Sequence, residues 1–199
     1  MSNLGSGKRC PSEIPATATT RSRILDAAMA LVEERGMTEV SMTAIADRSG
    51  LSRQTIYNNF ANVEAAVCAY MIDQIDEMVD QLDEHLASMG DPSTQLREFI
   101  RLATRRFASH DFIISLQMAM SPETESTIRA HLEGAQRVLG RIIEEGIEGG
   151  DFQTRMSSLD VAETVFHMVG GLAPFIAHGA DPDTTAERVS TMLLEGLVS

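Results

Sequence analysis

What this sequence has little of narrows its function first. Two cysteines in 199 residues, Cys10 and Cys68, are too few for a disulfide framework, and Cys10 stands in a Pro-, Ser- and Thr-rich stretch. A reducing, cytoplasmic setting is therefore expected. No uninterrupted apolar run approaches the roughly 20 residues that cross a bilayer, and the N-terminal stretch lacks the compact apolar block of a secretion signal, so no membrane partner is expected. The histidines, His85, His110, His131, His167 and His178, are scattered, and neither His-Glu-Xaa-Xaa-His nor Gly-Xaa-Ser-Xaa-Gly occurs. A Gly-rich phosphate loop is missing as well. Catalysis would need a site assembled from distant segments, and no cofactor or metal is expected. Nothing repeats at a fixed period, which excludes a solenoid.

Positive charge is the other scarcity: 16 Lys and Arg against 29 Asp and Glu give a net charge of -13. A body of that sign repels phosphate at long range, which argues against nucleic acid until the distribution is examined. Residues 1–60 carry seven basic and six acidic side chains, a net of +1, whereas residues 61–199 carry nine and 23, a net of -14. Contact with DNA, where it occurs, belongs to the N-terminal end.

What is present is helical punctuation. Residues 1–19 mix Gly, Ser, Pro, Thr and Ala without periodicity and read as a flexible arm in which Lys8 and Arg9 could touch phosphate. A helix starting near Thr20 places Ile24, Leu25, Ala28, Leu31 and Val32 on one stripe and stops at Gly36. Ser41 caps a short helix holding Met42, Ile45 and Ala46, and Gly50 turns the chain. Ser52 caps another, Arg53 to Phe60, with Ile56 and Phe60 inward and Arg53, Gln54, Asn58 and Asn59 outward.

A longer helix from about Asn62, with Val67, Met71, Ile75, Leu82 and Leu86 on one side and Asp73, Asp76, Glu77, Asp80, Asp83 and Glu84 on the other, would run about 35 Å. Its acidic row reads as a solvated face rather than a metal site. The next helix, about 93–109, carries Arg97, Arg101 and Arg105 at i, i+4, i+8, either facing the acidic side of the preceding helix or solvated. Helical tracts follow near 111–120 and 123–146. Two helices finish the chain, about 158–178, with a bend at Pro174, and 182–197. The fold class is all-α.

The segment from Ser41 to Phe60 carries the functional reading. Ile45, Ala46, Leu51 and Ile56 fill the angle between two short helices, Gly50 makes the turn, and the second helix offers a polar N-terminal face to a groove of DNA. Here the chain resembles the tetracycline-repressor family of bacterial regulators. The resemblance lies in the first helix ending at Gly36, in Val40-Ser41-Met42-Thr43-Ala44-Ile45-Ala46, in Gly50-Leu51-Ser52, and in Thr55-Ile56-Tyr57-Asn58-Asn59-Phe60 ahead of Asn62-Val63-Glu64-Ala65. It covers about residues 21–70.

That resemblance implies a three-helix DNA-binding head at 20–62 and a larger helical sensing and dimerisation domain at 63–199. By the same resemblance, Tyr57 and Asn59 meet DNA phosphates, Thr43 lies near the backbone, and Arg53, Gln54, Thr55 and Asn58 contact bases or nearby backbone. Val63 stands where many members have Lys, removing one possible phosphate contact. The partners expected are a palindromic duplex operator, a second copy of the chain, and a small effector.

The last two helices are expected to pair with their symmetry mates through Val161, Val165, Val169, Leu172, Val189, Met192, Leu193 and Leu197. Phe99, Phe107, Phe112, Met118, Met120 and Phe166 could wall a mostly apolar effector pocket, with His110, Gln117 and His167 as polar anchors. Ordinary core packing is the competing role for each of these. Two other classes stay open: a helical enzyme with a dispersed site, and a protein-interaction scaffold.

Overall fold

The computed structural model describes residues 19–109, with side chains through Arg106, and 120–197. All regular elements among these residues are helical. The chain divides into two compact units, with the boundary after Met71.

In the first unit, α1 (Thr20–Arg35) begins one residue earlier than expected, because Thr19 Oγ1 accepts the Ser22 amide at 3.1 Å. It buries the expected stripe of Ile24, Leu25, Ala28, Leu31 and Val32. Each such side chain contributes on the order of 1.5–3 kcal/mol when fully removed from water. Gly36 ends the helix at φ 80, backbone that side chains with a Cβ avoid. After a 3₁₀ turn at Met37–Glu39, Ser41 Oγ accepts the Ala44 amide at 3.2 Å and starts α2 (Met42–Ser49). Gly50 adopts φ 66, ψ 28, a left-handed stop, and Ser52 starts α3 (Arg53–Asn59). Phe60 turns extended at φ -139, and Asn62 Oδ1 accepts the Ala65 amide at 2.7 Å as α4 (Val63–Ala87) begins.

The second unit contains the later turns of α4, then α5 (Pro92–Ser109), α6 (Pro122–Gly149), α7 (Ser158–Gly170), α8 (Ala173–Ala177) and α9 (Pro182–Leu197). Helix α5 packs along α9, and α6 along α7. Their shared core includes Leu86, Leu96, Phe99, Ile100, Leu139, Ile142, Ile143, Phe152, Val165 and Leu194. Phe152 packs directly against Gly146, where a Cβ would overlap its ring, and its amide donates to the Gly146 carbonyl at 2.9 Å. Between helices, Asp83 pairs with Arg141 at 2.6 Å and Asp76 with His131 at 2.8 Å, so part of the acidic row of α4 is engaged with α6.

Two expectations need correction, and one open alternative closes. Residues 158–178 are two helices rather than one bent helix. Pro174 has no amide to offer Gly170, and the helix terminates there, with Gly171 donating to the His167 carbonyl at 2.9 Å before α8 begins. The same stretch, Ser158–Ala177, is long and apolar enough to cross a membrane, with a mean hydropathy of 1.2 in its most apolar window. Asp160, Glu163 and His167 interrupt the apolar run, and in the fold Val161, Ala162, Val165 and Val169 belong to the helical core. Finally, the arginine row of α5 does not meet the acidic side of α4: Arg97 pairs with Glu187, Arg105 with Asp183, and Arg101 with Glu98 of its own helix. Position along α5 brings these guanidinium groups under α9, the helix packed against that face.

Candidate nucleic-acid interface

Helix α3 is short, and nearly all of it faces outward. Ile56 is its one fully buried side chain; Arg53, Gln54, Asn58 and Asn59 are exposed, Tyr57 is 56% exposed, and Thr55 is half-buried. Ser52 sets where the helix begins, accepting the Thr55 amide at 3.1 Å and sharing a hydroxyl contact with Thr55 Oγ1 at 2.8 Å. The other amides of this first turn point outward from the helix N-terminus, a polarity that favours phosphate oxygens. Within the exposed face, Gln54 Nε2 donates to Asn58 Oδ1 at 2.8 Å, one helical turn on. Asn59 Nδ2 donates to the Thr55 carbonyl at 2.8 Å, folding that side chain back along the helix.

The support beneath α3 is fixed by two arginines whose role was not legible in the sequence. Arg23 of α1 donates to the Ser49 carbonyl at 2.7 Å, bracing the last turn of α2 immediately before the left-handed Gly50. Arg48 donates to Glu34 at 2.7 Å, tying α2 to α1. That hydrogen bond holds the Glu34 carboxyl below, and the Arg48 guanidinium above, their ordinary ranges. A lone arginine on a surface helix carries no signal of which carbonyl it will brace. Arg53 differs, standing exposed at the first position of α3. Thr43 is half-buried in the first turn of α2. The first unit therefore brings six of the seven expected DNA-contacting residues together on one seven-residue helix, with Thr43 on its neighbour.

The expected effector residues are less concentrated. Phe99 is buried in the second unit's core, Phe166 packs against that core half-buried, and Met120 is half-buried. His167 is exposed, its Nδ1 2.8 Å from the Glu163 carbonyl, and its ring meets Phe166 edge-on with centroids 6.1 Å apart. The Phe107 side chain and His110, Phe112, Gln117 and Met118 lie outside the described residues. Two clefts occur elsewhere in this unit, one of about 280 Å³ between α5 and α9 and one of about 560 Å³ beside Pro174 and Phe175. Neither is lined by Phe99, Met120, Phe166 or His167.

Of the expected dimer-contact residues, Val161, Val165, Val169 and Leu197 are covered within the single chain, at 8% exposure or less. Leu172, Val189 and Leu193 are half-buried, and Met192 is 57% exposed. Leu159 and Phe175, at 65% and 66%, add apolar surface on α7 and α8 that the sequence reading did not single out.

A polar helix that follows a glycine turn and rests on its neighbours through one buried side chain is the arrangement by which helix-turn-helix proteins enter the major groove. The class is therefore that of a DNA-binding regulator of transcription. Two family profiles match: residues 24–65 fit the bacterial regulatory proteins of the tetR family, and residues 92–193 fit the tetracyclin repressor-like C-terminal domain. The second alone spans half of the chain, so the chain belongs to the tetracycline-repressor family. Among the described residues, no group of three or more His, Cys, Asp or Glu side chains could hold a metal ion.

Among similar proteins, the HTH-type transcriptional regulator AlkX of Mycobacterium tuberculosis is 29% identical over 110 residues, covering 55% of this chain and 52% of that one. That match spans about half the relative's length. The fatty acid metabolism regulator protein of Bacillus subtilis is 22% identical over 182 residues, covering 89% of this chain and 93% of that one. Among solved structures, the transcriptional regulator FadR from Bacillus subtilis, in complex with stearoyl-CoA, superposes with a TM-score of 0.73 at 20% identity, covering 88% of this chain and 98% of that chain.

Proposed function

We propose that the chain represses transcription by binding a palindromic operator as a homodimer in the cytoplasm, and that a small, largely apolar effector releases it. The observation that carries this reading is the exposure of α3: five of its seven residues are exposed and Thr55 is half-buried, while Ile56 anchors it. In this reading residues 20–62 form the DNA-binding head and 63–199 the sensing and dimerisation domain. Tyr57 and Asn59 hold phosphates, Thr43 approaches the backbone, and Arg53, Gln54, Thr55 and Asn58 meet base edges or adjacent backbone. Phosphate contacts set the register, and base contacts set the sequence.

One head reads few base pairs, and a two-fold dimer presents two heads roughly 34–36 Å apart along the duplex. Met192, with Leu172, Val189 and Leu193, offers the apolar contact for that dimer, and Val161, Val165, Val169 and Leu197 form the layer that holds it rigid. The effector reading draws on Phe99, Phe107, His110, Phe112, Gln117, Met118, Met120, Phe166 and His167, and on the apolar chain of the ligand in the Bacillus subtilis relative. The effector would favour one of two head spacings, so its affinity difference between the two states sets how far operator binding falls.

Selection of bound fragments from genomic DNA tests the reading. A recovered two-fold-symmetric site, bound saturably at physiological salt, is expected, with relative preferences among its variants altered by Arg53→Ala and Gln54→Ala. Equal affinity for random duplex would overturn the regulator reading, and sedimentation as a monomer at operator-binding concentrations would overturn the dimer.

A further inference from the structure

Helix α5 is a basic element in an acidic domain. It carries Arg97, Arg101, Arg105 and Arg106 against the single acid Glu98, a net of +3, within the stretch 61–199 whose net charge is -14. Three of these arginines line the cleft of about 280 Å³ between α5 and α9, over a floor that includes Met89 and Ala186. At about 1.5 Å of rise per residue, they stand roughly 6 Å apart along the helix, a row of three forked donors.

The acids that meet this row are of two kinds. Glu98 is an inner partner, only 14% exposed, bonded to Arg101 at 2.6 Å through Nε and to His85 at 3.1 Å. Asp183 and Glu187 of α9 are outer partners. Asp183 receives both nitrogens of Arg105, at 2.6 and 2.8 Å, yet is 51% exposed, and Glu187 sits 3.8 Å from Arg97 at 75% exposure. Each outer carboxylate is in water and contributes little as an ion pair, so another oxyanion can take its place. A bidentate phosphate or carboxylate from solution satisfies the same forks.

We propose that the cleft between α5 and α9 is an anion site, taking a ligand whose phosphate or carboxylate oxygens replace Asp183 on Arg105 and Glu187 on Arg97, with the Arg101 charge between them. Glu98 stays in place and holds Arg101 toward the cleft. The volume suits a compact polyanion or the charged head of a larger ligand whose remainder extends into solvent. This site is separate from the apolar effector residues and does not depend on DNA binding.

The test uses the full chain without DNA, titrated calorimetrically in low-salt buffer with inorganic pyrophosphate and, separately, with citrate. Saturable binding of at least one is expected, and the stronger of the two tells phosphate from carboxylate. The double variant Asp183→Asn, Glu187→Gln removes the competing carboxylates and is expected to bind about two- to fivefold tighter. Arg101→Gln with Arg105→Gln is expected to bind about tenfold or more weakly. Arg105→Lys, which keeps the charge but loses the fork, serves where that double variant fails to fold, and is expected to fall between. Absence of binding by both anions to the wild-type chain and to the Asp183→Asn, Glu187→Gln variant would overturn the proposal. Weaker binding in that variant would do so too, since it would mark the outer acids as part of a structural clasp.

Discussion

The Tyr57 hydroxyl offers the sharpest separation of DNA contact from folding. Tyr57 is 56% exposed on α3, so replacing it by Phe removes one oxygen and leaves the buried anchor Ile56 untouched. The thermal midpoint should stay within about a degree, since exposed substitutions away from caps and cores rarely change stability by more than ~0.5 kcal/mol. A hydrogen bond to a charged group contributes about 1.5–3 kcal/mol, so each head should lose roughly ten- to hundredfold in affinity for the duplex. With two heads engaged, the loss multiplies to about 10² to 10⁴ for the dimer on its operator. Because the hydroxyl is neutral, the slope of affinity against salt should not change, whereas removing a phosphate-contacting arginine lowers it by about one per phosphate. Fluorescence anisotropy on a labelled operator and on random duplex, at several salt concentrations, reads all of these. An unchanged Kd with an intact fold would refute the phosphate contact, and a lowered melting point would show that the hydroxyl bonds within the folded head instead.

Three further outcomes are expected. Gly146→Ala drives a methyl into the Phe152 ring and should destabilise the second unit by about 1–3 kcal/mol in urea unfolding; a neutral result would mean that this ring moves freely. The Glu98 carboxyl is held below its ordinary value of 4.5 chiefly by the hydrogen bond from Arg101, with burial opposing and His85 assisting. Its stabilisation is complete above that value and lost as pH falls through the lower folded one, so the stability gap between wild type and Glu98→Gln should narrow below pH 4.5 and be constant above it. Met192→Asp places a charge on exposed apolar surface of α9 and should shift sedimentation from dimer to monomer while leaving the monomer's helical signal intact.

Local chemistry was legible in the sequence, and pairing at a distance was not. Ser41, Gly36, Gly50 and Ser52 announce helix ends because caps and left-handed stops act within four residues of chain. The stripe of α1 and the outward set on α3 follow from a period of 3.6 for the same reason. The partner of the Arg97, Arg101, Arg105 row did not follow, since helical spacing says which residues share a face but not which helix lies over it. Periodicity also marks Val161, Val165 and Met192 alike as apolar, although the first two are covered by their own chain and the third is bare. The break after Gly170 came earlier than Pro174 itself because a proline acts on the carbonyl four residues before it. Arg23 gave no hint at all: its partner is a backbone carbonyl 26 residues away.

The amide tie between Gln54 and Asn58 has a consequence for how operators could be told apart. With one donor and one acceptor consumed internally, the two side chains present a joint pattern, an acceptor from Gln54 beside a donor from Asn58, rather than two independent amides. Replacing either one frees the other to rotate, so a single substitution is expected to alter preference at two neighbouring base pairs, and the double substitution to differ from the sum of the singles. New specificities on this scaffold would then have to be sought by varying the two positions as a unit.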